Sequence, residues 1–214
     1  MARWGMVIDL TRCIGCYACM MSCKQEHFLP PGIFWGRLII GEVGQYPTVR
    51  KYNLPVLCNH CKEAACVAVC PTGATVKRED GIVTVDYDKC IGCRYCVVAC
   101  PYQQRTYLAK INEYYPGQGL TPYEKAGSDR YQTGVTVKCN LCVERIDEGL
   151  KKGLKPGVDE AATPACVMVC PAKARYFGDL DDPRSEVSRL IKERNGRPLH
   201  PEFGTEPSVF YLDY

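Results

Sequence analysis

The fold of this chain is decided by one stretch, Asp86-Tyr-Asp-Lys-Cys-Ile-Gly-Cys-Arg-Tyr-Cys-Val-Val-Ala-Cys-Pro101. Its four cysteines follow the spacing C-x2-C-x2-C-x3-C, and a proline comes directly after the last one. Three thiols that are only two residues apart can surround one metal centre, because each short loop returns the backbone to that centre. Gly92, inside the first loop, lets backbone N–H groups approach closely. The stretch therefore predicts a metal site built from thiolates.

The chain of 214 residues contains sixteen cysteines, which form four groups of four. The groups are Cys13, Cys16, Cys19 and Cys23; Cys58, Cys61, Cys66 and Cys70; Cys90, Cys93, Cys96 and Cys100; and Cys139, Cys142, Cys166 and Cys170. Group one repeats the spacing of group three, whereas the middle gap is slightly longer in group two and opens to 23 residues in group four. Disulfide frameworks scatter their cysteines, and metal sites cluster them. The grouping therefore favours metal over disulfides.

Groups one and three have the spacing of bacterial ferredoxins, in which three cysteines hold one [4Fe-4S] cluster and the fourth ligates the neighbouring cluster. Structural zinc is the alternative. Zinc favours two well-separated pairs of closely spaced cysteines, and only group four taken alone looks like that. The spacing therefore predicts four [4Fe-4S] clusters, and metal analysis would separate them from zinc.

An internal repeat sets the fold class. The segment Asp9–Cys23 matches Asp86–Cys100 in residue type, and Ala65–Ala74 matches Ala165–Ala174. The groups thus follow the order A, B, A, B, where A is the ferredoxin-type run and B is the longer-gapped group that ends in Cys-Pro. The simplest interpretation is an α+β fold in which each A and the following B form one ferredoxin-like unit.

Regular elements are also predicted outside the groups. The alternation in Gly81–Asp86 predicts one strand of a hairpin, and Ser208–Leu212 predicts a last strand. Asp182 as N-cap and Pro183 as first helical residue predict a C-terminal helix that runs to Arg194. Segments rich in turn residues are predicted as surface loops, namely 30–32, 108–134 and 149–164.

Composition excludes several classes of function. The formal net charge of +3 gives no argument for a nucleic acid partner. No charged stretch with an apolar core precedes Cys13, and no apolar run approaches the about 18 residues of a membrane span. We therefore expect no signal peptide and no transmembrane helix in this chain. Since the sequence has no catalytic triad, phosphate-binding loop or acid–base pair, we predict no catalytic residues.

Three residues beside cysteines are candidates for supporting roles. His60 lies inside group two and could replace a thiolate. Because all four cysteines of that group are present, a role in supporting a ligand or in packing is favoured. Lys24 and Lys138 each adjoin a cysteine, and their charges could tune a reduction potential, with a solvated surface as the alternative.

The complete arrangement resembles a known family. Four such groups in this order, followed by Gly178–Pro183, a helix and a final strand, resemble the iron–sulfur (beta, electron-transfer) subunit of DMSO reductase superfamily molybdopterin oxidoreductases. The resemblance covers essentially the whole chain and is strongest with the polysulfide, thiosulfate and respiratory arsenate reductase branch. The segments that carry this branch resemblance are Pro30–Gly32, Gly44–Pro47, Cys58–Cys61 and Lys138–Cys142.

The resemblance implies that ligands cross between groups. The implied sets are Cys13, Cys16, Cys19 and Cys170; Cys23, Cys139, Cys142 and Cys166; Cys58, Cys61, Cys66 and Cys100; and Cys70, Cys90, Cys93 and Cys96. In this pattern the second ferredoxin-like unit is nested inside the first. The implied regions are an outer unit of 1–50 plus 138–180, an inner unit of 51–107, an insertion of 108–137 and a C-terminal extension of 181–214 with a helix and a strand.

The resemblance also implies the function. The chain would relay electrons between a large molybdopterin (molybdenum or tungsten) catalytic subunit and a quinone-reactive membrane subunit or another carrier. It would have no catalytic centre of its own. A free-standing polyferredoxin that serves soluble oxidoreductases is the alternative. Two locations stay open: the periplasmic side of the cytoplasmic membrane, reached by export with a twin-arginine-bearing partner, or the cytoplasm.

Overall fold

The computed structural model describes residues 2–213 of the chain. Within them the fold is a mixture of short strands and short helices. The strands are β1 (Trp4–Asp9), β2 (Gly36–Val43), β3 (Arg50–Leu57), β4 (Thr75–Lys77), β5 (Val83–Val85), β6 (Thr106–Leu108), β7 (Val135–Val137), β8 (Arg175–Asp179), β9 (Arg197–Pro198) and β10 (Val209–Leu212). The α-helices are α1 (Ala18–Glu26), α2 (Ala65–Ala68), α3 (Tyr95–Ala99), α4 (Pro122–Gly127), α5 (Val143–Lys151), α6 (Ala165–Met168) and α7 (Glu186–Glu193).

Strand β1 joins the two ends of the chain in a four-stranded sheet of order β8-β1-β10-β9. It pairs antiparallel with β8 and parallel with β10. All of its residues are buried. Met6 and Ile8 pack in the main core, and Val7 packs on the other face against Val187 of α7. The strand before the first cysteine group therefore lies beside the strand that follows the last group.

Three antiparallel pairs complete the sheets: β2–β3, β4–β5 and β6–β7. The pair β4–β5 confirms the predicted hairpin, and β10 confirms the predicted last strand. Strands β6 and β7 lie at the two ends of the 108–137 stretch and hold them side by side.

The short helices of the cysteine groups pack in two pairs. Helix α1 of group one contacts α6 of group four, and α2 of group two contacts α3 of group three. Group one thus lies beside group four, and group two beside group three.

The predicted start of the C-terminal helix was wrong. Helix α7 begins at Glu186, and its N-cap is Ser185, whose side chain accepts the Ser188 N–H at 3.2 Å. Asp182 instead accepts the Arg184 N–H at 2.9 Å, so its carboxylate closes a turn before the helix. Asp182 and Ser185 are both suitable N-cap residues, and Ser185, which is nearer the apolar residues of the helix, is the N-cap.

Two segments that were predicted as loops contain helices. Helix α4 has a capping box, in which Thr121 Oγ1 accepts the Glu124 N–H (3.2 Å) and Glu124 accepts the Thr121 N–H (2.8 Å). Helix α5 continues to Lys151, past the predicted start of its loop, because Ile146 and Gly149 are buried on one face. The longest α-helices of residues 2–213 have nine residues, and none has the length and hydropathy of a membrane span.

Candidate metal centres

Groups one and three present their cysteines through the same backbone turn. The residue after the second cysteine, Tyr17 or Arg94, is left-handed (φ 62° and 65°), and a helix begins at the next residue. Each helix carries the third cysteine, Cys19 or Cys96. A left-handed residue other than glycine costs about 1–2 kcal/mol, and such strain is typical of functional sites.

Groups two and four use a different turn. Helices α2 and α6 begin after Ala64 (φ −84°) and Pro164 (φ −53°), neither of which is left-handed, and they carry the third cysteines Cys66 and Cys166. The two classes of the sequence repeat therefore correspond to two local backbone structures.

All four groups share one feature in their first C-x2-C loop: the residue before the second cysteine is left-handed. These residues are Gly15 (φ 71°), His60 (φ 44°), Gly92 (φ 65°) and Leu141 (φ 57°). Glycine adopts this conformation without steric cost in groups one and three, whereas His60 and Leu141 adopt it in groups two and four at the cost of backbone strain.

Two cavities are each lined by three cysteines of one group and the last cysteine of another. The first is lined by Cys13, Cys16, Cys19 and Cys170. The second is lined by Cys58, Cys61, Cys66 and Cys100. These combinations coincide with two of the four implied sets, whose role as ligands stays a prediction.

The other eight cysteines belong to the two remaining implied sets. Burial raises the pKa of Cys23 well above its ordinary value, and the nearby thiolates of group four raise it further. This coupling places Cys23 beside Cys139, Cys142 and Cys166. Of the remaining cysteines, Cys96 lies in α3, Cys90 and Cys93 precede α3, and Cys70 follows α2, which packs against α3.

Burial makes many of these thiols poor acids. It raises the pKa of Cys61 and of Cys139 to about 12. Cys58 differs: burial alone would raise its pKa, but the neighbouring His60 and Lys138 lower it well below the ordinary value. Because the thiolate is the metal-binding form, binding of a metal replaces these protons.

Backbone N–H groups donate to three of the four cysteines that close a group. The pairs are Thr75 N to Cys70 Sγ (3.4 Å), Gln104 N to Cys100 Sγ (3.5 Å) and Ala174 N to Cys170 Sγ (3.3 Å). Hydrogen bonds of this kind stabilise negative charge on a ligand sulfur.

The three predicted supporting residues are all buried. His60 Nδ1 accepts the Val83 N–H at 3.0 Å, so the ring proton is assigned to Nε2. Lys138 Nζ donates to the carbonyl oxygens of Val83 and Cys139. Lys24 Nζ donates to the carbonyl oxygens of Leu29, Pro30 and Ile33 at 2.8–3.3 Å. The two lysines thus fix the backbone around the cysteines, and neither is a solvated surface charge.

Sequence reasoning missed three residues at these sites. His27 Nε2 lies 3.2 Å from Cys142 Sγ, although 115 positions separate the two residues, so no local pattern pointed to it. Arg105 and Arg175 line the two cysteine cavities. Both stand five residues after the last cysteine of a group, and a longer alignment of the repeats would have found them.

The residues around the cavities fit iron–sulfur clusters. Within residues 2–213, no three His, Cys, Asp or Glu side chains converge closely enough to hold a single metal ion. Buried N–H groups of the second cavity, His60 Nε2 and Arg105 Nε and Nη2, have no partner in the protein. Since buried donors without acceptors are costly, a group with acceptor sulfurs matches this lining.

Two family models match the chain. A model described as a 4Fe-4S dicluster domain matches residues 49–114, which contain groups two and three. A model described as a 4Fe-4S binding domain matches residues 4–25, which contain group one.

Curated relatives match nearly the full chain. A protein of Halobacterium salinarum described as a dimethyl sulfoxide reductase iron–sulfur subunit is 43% identical over 100% of this chain and 80% of its own. A subunit of the selenate reductase of Mesobacillus selenatarsenatis is 40% identical over 98% of this chain and 72% of its own. The arsenate respiratory reductase iron–sulfur subunit of a Shewanella species is 39% identical over 98% of this chain and 96% of its own. The chain therefore belongs to the family of 4Fe-4S electron-transfer subunits of the dimethyl sulfoxide, selenate, sulfite, arsenate and tetrathionate oxidoreductases.

Proposed function

We propose that this subunit carries four [4Fe-4S] clusters and relays electrons between a molybdopterin catalytic subunit and a quinone-linked membrane subunit. The observation that carries the proposal is the first cavity, which three cysteines of group one and Cys170 of group four line together. Such a combination is the ligand pattern of two-cluster ferredoxins, in which the fourth cysteine of a run serves the other cluster.

The four ligand sets follow from the same pattern. Each group gives three ligands to one cluster and its last cysteine, Cys23, Cys70, Cys100 or Cys170, to the neighbouring cluster. Contacts between α1 and α6 and between α2 and α3 support this pairing, as does the pairing of β1 with β8. We infer that the ferredoxin-like unit of groups two and three is nested inside the unit of groups one and four, with the insertion and the C-terminal extension outside both.

The protein's own residues would hold and polarise these sites. Bound [4Fe-4S] clusters supply one-electron redox chemistry. The N–H donors on Cys70, Cys100 and Cys170 stabilise negative charge on those sulfurs. Burial of Cys58, Cys139 and Cys142 excludes water, which weakens screening of nearby charges.

Cross-ligation can be tested with serine variants. If ligands cross, Cys170→Ser and Cys16→Ser should change the same reduction potential, because both residues serve one cluster. Cys23→Ser and Cys142→Ser should likewise change one shared potential, that of the neighbouring cluster. If each group kept its own cluster, Cys170→Ser would instead match Cys142→Ser. Redox titration followed by electron paramagnetic resonance (EPR) on the anaerobically purified chain separates the two outcomes.

The relatives' names support the choice of partner, since they describe single subunits of reductases. We propose a molybdenum- or tungsten-containing catalytic subunit, a quinone-reactive membrane subunit and a position peripheral to the cytoplasmic membrane. Anaerobic pull-down of the tagged chain from native membranes should recover a large subunit with molybdenum or tungsten. Recovery of the chain with several soluble oxidoreductases and no fixed large subunit would favour the free-standing polyferredoxin.

A further inference from the structure

Arg105 and Arg175 occupy the same place in the repeat. Each stands five residues after the cysteine that closes its group, Cys100 or Cys170. Both are nearly inaccessible, with relative exposures of 5% and 6%. Because arginine is seldom fully buried unless it is paired, two equivalent buried arginines need an explanation.

Arg175 lies between two sets of cysteines. It lines the cavity of Cys13, Cys16, Cys19 and Cys170. At the same time its Nη1 donates to Cys166 Sγ at 3.5 Å, and Cys166 belongs to the neighbouring set with Cys23. The guanidinium therefore lies beside both cysteine sets that groups one and four form together, which are the outer pair of sets.

Arg105 has the corresponding position in the inner pair of sets, which groups two and three form together. It lines the cavity of Cys58, Cys61, Cys66 and Cys100. Its Nη1 donates to Thr75 Oγ1 at 3.1 Å, and the N–H of Thr75 donates to Cys70 Sγ at 3.4 Å. Cys70 belongs to the other set of the inner pair, so Arg105 reaches it through one intervening residue.

Neither guanidinium is paired with a carboxylate among the ion pairs of residues 2–213. An uncompensated charge in the interior is strongly unfavourable, so each arginine needs a negative neighbour. Thiolate-bound clusters supply such charge. The equivalent positions after Cys23 and Cys70 are Phe28 and Thr75, so each pair of sets has one arginine.

We propose that Arg105 and Arg175 are bridging cations, one between the two clusters of each pair, and that each raises the reduction potentials of both clusters in its own pair. The proposal rests on the proposed function. Reduction adds an electron and hence negative charge, and a fixed buried cation stabilises the reduced form more than the oxidised form. Water screens such a charge little, since both side chains are buried.

The test uses EPR-monitored redox titration of the full chain, which has four potentials to compare. Arg175→Met should lower two potentials and leave two unchanged, and Arg105→Met should lower the other two. We expect at least a tenfold fall in the reduced-to-oxidised ratio at fixed ambient potential, which is about 59 mV for one electron. Arg175→Lys and Arg105→Lys keep the charge and should restore potentials to near those of the unmodified chain.

Arg189→Met is the control. Arg189 lies on α7, is exposed, pairs with Glu193 at 3.7 Å and lines neither cysteine cavity, so its removal should leave all four potentials nearly unchanged. Iron is measured first in every variant. Absence of iron in the unmodified chain would contradict the proposed function. An iron-loaded methionine variant with unshifted potentials, or one that shifts all four equally, would overturn the bridging role. If a methionine variant loses iron, its lysine counterpart decides the outcome. A lysine variant that does not keep both its iron and the potentials of the unmodified chain would also overturn the bridging role.

Discussion

Gly92 is expected to be the glycine of the cysteine loops that tolerates alanine least. Its φ is +65°, and a Cβ atom built there would clash with the carbonyl oxygen of Gly134 and lie 3.1 Å from the Tyr107 ring. The carbonyl belongs to the backbone next to β7, which is hydrogen-bonded to β6, so it cannot move freely. The matched control is Gly73, whose φ is +64° and where a Cβ would meet no atom within 4 Å.

The magnitudes follow from these two environments. The left-handed backbone costs alanine about 1–2 kcal/mol at either position. A smaller gain of about 0.4–1 kcal/mol from the less flexible unfolded chain offsets part of this cost. Only Gly92→Ala adds the cost of overpacking, about 1–3 kcal/mol. Gly92→Ala should therefore destabilise the protein by about 2 kcal/mol more than Gly73→Ala.

The assay is thermal loss of the cluster absorbance near 400 nm in anaerobic buffer. For a chain of this length, about 2 kcal/mol corresponds to a difference of about 4–8 °C in midpoint temperature. All proteins are heated at one scan rate, so that their midpoints are compared under the same conditions. Equal midpoints for Gly92→Ala and Gly73→Ala would refute the reasoning from close approach.

Two further predictions concern stability. Ser185→Ala should cost about 1 kcal/mol, because Ser185 caps α7, whereas Asp182→Ala should cost less; midpoint temperatures compare them. Asp9→Asn should cost about 2 kcal/mol, since the buried carboxylate binds Arg194. Burial alone would raise the pKa of Asp9, but its hydrogen bonds with Arg194 and Thr11 lower it. A lowered pKa means that this contribution is complete above the unfolded pKa of about 3.9 and is lost as the pH falls through the folded pKa. The deficit of Asp9→Asn should thus be constant from about pH 5 to 8, and a deficit that varies there would contradict the assignment. Asp86→Asn, the exposed equivalent in the repeat, is the control and should have a smaller effect.

Much of the fold was predictable because its signals are local. The hairpin β4–β5, the last strand and the two classes of cysteine loop follow from patterns within short stretches of sequence. The start of α7 was mispredicted because Asp182 and Ser185 are both good caps and only packing chooses between them. Helix α4 was not predicted, because the surrounding glycines and prolines are typical of a loop. Its signal is the capping-box sequence Thr121-Pro-Tyr-Glu124.

The candidate site was predictable to a similar degree. Cysteine spacing identified the thiols and the type of cofactor. Cysteine spacing alone could not specify which distant groups meet, because the pairing of β1 with β8 is a long-range event; the family resemblance implied that group one meets group four. His27 could not be found for the same reason, since its contact with Cys142 arises only from the tertiary fold. Arg105 and Arg175 had a sequence signal in the repeat, but their burial between two sets of cysteines required the structure.

Four clusters in one chain are the central claim, and the amounts of iron and acid-labile sulfide per chain test it most directly. The anaerobically purified protein should contain about sixteen iron and about sixteen sulfide per chain, as expected for four [4Fe-4S] clusters held by sixteen thiolates. About eight of each would mean that only one pair of sets binds clusters. About four zinc without sulfide would contradict the account altogether.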